Sequence, residues 1–136
     1  MSLLAGGVVC LLLANSACAE EQALSRCEVV PLHVVDAIAT GLQGGGTLRD
    51  VQAVESNDFE RVYFISAEID SPGIAGDGAV GTWARSGSLD EEGGAIYSVD
   101  SAAKDFSDWI DGGSTDAETT MDNDGAEESR ECVETS

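Results

Sequence analysis

The residues whose types and spacing could do chemistry lie near the C-terminus, in STDAETTMDNDGAEESRECVETS (114–136). With Thr120 taken as the first position of an EF-hand-type calcium loop, Asp122, Asp124, Gly125 and Glu131 fall on the third, fifth, sixth and twelfth. Carboxylate oxygens at that spacing suit a hard divalent cation. Two defining positions are wrong, however: Thr120 replaces the first Asp and Glu127 replaces the usual aliphatic residue. The same stretch also reads as the start of a short helix, with Asp124 as N-cap and Glu127 closing a capping box, which would present Cys132 to Cys27. The capped helix accounts for more of the residues, and calcium is kept as the alternative cofactor. No other metal pattern is present, since the chain has no C-x-x-C and only one histidine, His33. His33 stands beside an apolar stripe with no serine or cysteine motif to form a nucleophile–base pair. The Gly44-Gly45-Gly46 run lacks a following Lys-Ser/Thr and reads as a connector rather than a phosphate loop. No catalytic residue is assigned.

The cysteines carry a different kind of chemistry. Residues 1–19 hold no charge, and the apolar run Leu3 to Ala14 is too short to span a bilayer but suits the apolar segment of an export signal. A positive segment ahead of it is missing. Two processing readings compete. Ser16-Ala17-Cys18 resembles the end of a bacterial lipobox, in which Cys18 is lipidated and becomes the first mature residue, although Asn15 stands where that motif prefers an aliphatic. Ala17-Cys18-Ala19 is a site for ordinary cleavage before Glu20. Either leaves a single small domain over 20–136 with two cysteines, Cys27 and Cys132. In an oxidising compartment these most simply form one disulfide. Its Cα atoms must then lie about 4.4–6.8 Å apart, so the helices expected beside them must meet on one side of the sheet.

The elements that position these residues follow from periodicity. Val34, Val35, Ile38 and Leu42 recur at helical spacing after Pro31, and the glycine run ends the helix. LRDVQAVES (48–56), RVYFISAEI (61–69), GAVGTWARSG (78–87) and GGAIYSVD (93–100) read as four strands joined by short Gly-, Asp- and Ser-rich turns. In the second, Tyr63, Ile65, Ala67 and Ile69 share one face, while Val62, Phe64, Ser66 and Glu68 share the other. Both faces carry large apolar residues, which predicts a central strand covered by helix. Trp83 and Tyr97 belong to the same core. The loops 70–78 and 86–94 are acidic and exposed, places where ligand contact is tolerated. Ala102, Phe106, Trp109 and Ile110 fall on one face of a further helix. Phe106 and Trp109 could form a ligand platform, but core packing is the commoner use of such a face. The expected fold is α+β: an N-terminal helix, a four-stranded mainly antiparallel sheet, two short C-terminal helices and one disulfide.

Charge narrows the partners. Six Lys and Arg against 26 Asp and Glu give a net charge of −20, which argues against nucleic acid and anionic membrane surfaces. Contact with a membrane is expected only through a lipid anchor. The segments VYFISAEI, GTWA, GGAIYSVD, AKDFSDW and DGAEESRECV resemble small exported or lipid-anchored proteins of high-GC Gram-positive bacteria that have no assigned activity. The resemblance implies an extracytoplasmic address and a compact α+β domain, and brings no catalytic residues. Together these readings lead to a cell-envelope binding or interaction module with a protein or small-molecule partner at the cell surface. The alternatives are a calcium-stabilised extracellular domain, or an enzyme without a recognisable motif.

Overall fold

The computed structural model describes residues 25–72 and 78–136. At its centre lie β3 (Val62–Asp70) and β4 (Ala79–Ser86), paired antiparallel with Phe64 opposite Ala84 and Ile65 opposite Trp83. Outward from β3 comes β2 (Thr47–Glu55), and beyond β4 comes β5 (Ile96–Ser98). A two-residue edge strand, β1 (Glu28–Val29), pairs with Gln52 and Ala53 of β2. The sheet is therefore a five-stranded antiparallel meander in chain order. The α+β class, the antiparallel sheet and the disulfide agree with the sequence reading. The number of strands does not. Two residues, cut off by Val30 and Pro31, are too few to show an alternation, so β1 left no periodic signal.

Strict period-two alternation along β3 gives each face its own core. On one face Ile65, Ala67 and Ile69 pack with Ala53 of β2 and Trp83 of β4. Helix α1 (Leu32–Ala39) covers this face with Val34 and Ile38, both fully buried, and α2 (Ser101–Phe106) adds Ala103. On the other face Phe64, Ala84 and Val99 pack against Ala126 of helix α3 (Ala126–Glu134). That helix lies over β2, β3 and β4. Helices thus cover both faces of the sheet, as the two apolar faces of β3 require.

Cys27 and Cys132 are bonded, with Cα atoms 5.9 Å apart. The helices do not meet on one side to allow this. Strand β1 separates Cys27 from α1, so the cysteine sits at the sheet edge and reaches α3 on the face opposite α1. The bond was legible in the sequence, but the helix arrangement inferred from it is corrected.

The second helix is shorter than its apolar pattern suggested. It starts on Asp100, whose side chain accepts from the Ala103 N–H, and ends at Phe106. Ser107 then turns extended, forms a bridge with Leu42, and takes a hydrogen bond from the Trp83 indole at 3.1 Å. Past that point Trp109 packs flat on Gly41 and donates to the Ile38 carbonyl at 3.0 Å, closing the end of α1. A Cβ on Gly41 would stand 2.4 Å from that indole nitrogen, so a glycine is required there. Ile110, expected on the buried face, is 64% exposed.

Candidate functional site

The C-terminal acidic motif is built as a structural joint. Helix α3 begins on Gly125, whose backbone is left-handed (φ 98°), and the Gly125 N–H donates to the Glu128 carboxylate at 2.8 Å. The cap lies one residue later than the sequence suggested, on Gly125 and Glu128 in place of Asp124 and Glu127. Asp124 is committed elsewhere. It receives both Arg26 guanidinium nitrogens, at 2.7 and 3.2 Å, and the Asn57 N–H at 2.8 Å. The bond to Arg26 holds the Asp124 carboxyl below its usual range and raises the Arg26 guanidinium in turn. Asp122 and Glu131 are exposed. Among the described residues no three His, Cys, Asp or Glu side chains are grouped as metal ligands would be, the trio Asp122, Asp124 and Glu131 included. Cys18, the candidate lipidation site, and the signal segment 1–19 lie outside the described residues.

The remaining polar groups in the interior also serve the fold. Ser66, Thr82 and Ser129 are fully buried between the sheet and α3, and Ser66 bridges the other two at 2.7 and 2.6 Å. Ser129 also donates to the Ala126 carbonyl. His33, on the opposite side of the sheet, lies 3.2 Å from the Glu91 carbonyl. Arg85, only 1% exposed, binds the carbonyls of Ser88, Glu91 and Gly93, so the acidic loop after β4 is strapped down over the α1 face. That loop, expected as a place for ligand contact, is thereby tied to the core.

A cavity of about 320 Å³ opens instead at the far end of the other face. Its origin is geometric. Strand β5 has only three residues, and α3 covers β2 to β4, so the corner beside Val62, Ala84 and Tyr97 lacks a helix above it. The segment from Gly112 to Thr119 arches across this corner. Its two ends meet where the Thr119 N–H donates to the Gly112 carbonyl at 3.2 Å. Thr119 packs so closely on Gly112 that a Cβ there would come within 1.8 Å of the Thr119 hydroxyl oxygen. Asp116, Ala117 and Glu118 of this segment line the cavity, as do Phe59 and Glu60 from the turn before β3.

The chemistry of this cavity is divided. Ala84 is buried, while Phe59, Val62 and Tyr97 are half-buried, giving an apolar and aromatic interior. Glu60, Asp116 and Glu118, which also line it, are exposed. Glu118 holds a left-handed backbone at φ 49°, a strained conformation for a residue with a long side chain. Thr119, 2% exposed, carries a hydroxyl without a hydrogen-bond partner in the same lining. A second cavity, about 340 Å³ in volume, is lined by Ser25, Arg26, Glu28, Glu55 and Asn57. Its cation is already bound to Asp124 and the Glu55 carbonyl, and burial together with the Glu55 charge pushes the Glu28 carboxyl up.

None of the residues around the first cavity was singled out from sequence as a site, apart from Tyr97 as a core residue. Phe59 follows a turn, and residues 116–119 sit in an acidic tail of low hydrophobicity, so neither segment has a period that marks a wall. Glu118 with its positive φ has no sequence signature at all. No family model, curated protein or solved structure matches this chain.

Proposed function

We propose that this chain is an exported, non-catalytic binding module of the cell envelope, and that its ligand site is the cavity between Phe59, Tyr97 and the 116–119 wall. The observation that carries the reading is a concave site of about 320 Å³ that combines Phe59, Val62, Ala84 and Tyr97 with polar and acidic residues. Ligand sites commonly have this composition. Ser66 is hydrogen-bonded to Thr82 and Ser129, and Asp100 is paired with Arg130 at 2.5 Å, so these groups serve the fold. Titrating ¹⁵N-labelled domain with a library of small aromatic and aliphatic fragments tests the reading. Chemical-shift changes should concentrate on Phe59–Val62, Ala84, Tyr97 and 116–119. Fragments that bind only elsewhere would overturn it.

The address is supported by the disulfide, a bond kept in oxidising compartments. The proposed anchor is lipidation of Cys18, from the lipobox-like Ser16-Ala17-Cys18; among the described residues no helix is long and apolar enough to cross a membrane. Cys18→Ser should abolish labelling by a fatty-acid probe and release the protein into the medium. Secretion of unlabelled wild type beginning at Glu20 would refute the anchor and leave the binding module untouched.

A further inference from the structure

Resting on the cavity as the ligand site, we infer that its ligand is a small organic cation, an ammonium group on an aromatic or alkyl body. The argument begins with the fate of the basic side chains. The chain has six Lys and Arg residues. Five of them are in ion pairs with acids that do not line the cavity: Arg26 with Asp124, Arg49 with Glu68, Arg61, between the lining residues Glu60 and Val62, with Glu91, Lys104 with Asp111, and Arg130 with Asp100. The sixth, Arg85, borders the cavity through β4, but its guanidinium is held by three carbonyls on the other face of the sheet. Glu60, Asp116 and Glu118 take part in no ion pair among the described residues. Three exposed acidic residues therefore line a cavity that also holds Phe59 and Tyr97, and none of the three is in an ion pair among the described residues.

A cation from outside would suit this lining in two ways. Its charge would sit among the carboxylates, and its apolar body would enter beside Phe59 and Tyr97, whose ring faces attract positive charge. An anionic ligand would face the repulsion of all three acids and of a molecule at −20 overall. A neutral apolar ligand would fit the interior but leave the three acids as they stand. The cavity volume is near the lower end of the ~300–1,000 Å³ typical of ligand sites, which favours a single ring or short chain over a larger molecule.

The test compares phenethylammonium with 2-phenylethanol, which has the same ring and chain but no charge, by titration of the ¹⁵N-labelled protein at low and high salt. Phenethylammonium should shift the signals of Tyr97 and Glu118 and bind about tenfold more tightly than the alcohol at low salt, an advantage that fades as salt is added. The triple variant E60Q/D116N/E118Q, whose changes are all at exposed positions, should keep the wild-type spectrum elsewhere and lose that advantage. Equal affinity for the two probes at this cavity would overturn the cation inference while leaving the binding site standing. Absence of shifts at the cavity with either probe would overturn both. A lysine-containing peptide that binds there more tightly than phenethylammonium would overturn the small-molecule assignment in favour of a protein side chain.

Discussion

The Asp124 carboxylate accepts two hydrogen bonds from Arg26 and one from the Asn57 amide, and so ties the residue next to Cys27 to the turn before α3. Both side chains are about 30% exposed, so the pair contributes at most about 0.5–1 kcal/mol. Asp124→Asn should lower the melting temperature near neutral pH by a correspondingly small amount. The sign of its pH dependence follows from the depressed carboxyl: the wild-type advantage is present above the ordinary value of 3.8 and is lost as the pH falls through the lower folded-state value. Melting curves of the two proteins should converge once the pH is below that folded-state value, and a difference undiminished as the pH falls would remove the ion pair as its cause. Gly112 makes a second prediction at this scale. Gly112→Ala would drive Thr119 off its seat and should cost about 1–3 kcal/mol, together with the shape of the cavity wall. Full stability with unchanged fragment binding would show that the arch yields without affecting the site. Residues of this kind were not legible in advance. The spacing of Asp122, Asp124 and Glu131 suggested a calcium loop or a cap, yet what occupies Asp124 is Arg26, a partner 98 residues away that local spacing does not reveal.

At the scale of elements, period-two and helical patterns carried the reading wherever an element is long enough to repeat. Strand β3 has nine residues and its two faces divide as Tyr63–Ile65–Ala67–Ile69 and Phe64–Ser66 alternate. Helix α1 likewise buries the expected Val34 and Ile38. Short elements escaped. Strand β1 has two residues, and α2 stops after six because Ser107 is drawn out of the helix by Leu42 and Trp83. The cost of missing β1 was the wrong account of how the disulfide closes. The bond itself joins positions 105 residues apart, which in the chain-entropy model is worth about 4–5 kcal/mol. Cys27→Ser and Cys132→Ser should therefore each lower the melting temperature, by similar amounts and without additivity in the double mutant. Additive losses would mean that each cysteine contributes chiefly through its own packing. The structure adds a further expectation. Because Cys27 joins the β1 edge to α3, reduction should first loosen the β1 edge, so amide exchange should quicken at Val29 and Gln52 before it does at Phe64 and Ile65.

For the whole molecule, charge is the dominant property outside the core. With 26 acidic and six basic residues, even five ion pairs leave most carboxylates without a cation. Two opposing effects of salt follow. Screening weakens the ion pairs, whose side chains are mostly a quarter or more exposed and which are worth at most about 1 kcal/mol each. It also relieves repulsion among the unpaired acids, which acts over the whole surface and grows as the compact state brings them together. Shortening the Debye length from about 30 Å at 0.01 M salt to about 3 Å at 1 M removes nearly all of that repulsion. Since unpaired acids outnumber pairs severalfold, relief should prevail, and the melting temperature should rise by several degrees over that range. Replacing sodium chloride by sucrose separates charge screening from general preferential exclusion, because an uncharged osmolyte leaves the Debye length alone. A steady fall in melting temperature with added salt would show that the five ion pairs outweigh the repulsion. In that case the carboxylates around the cavity would be less exposed to one another's charge than their number implies.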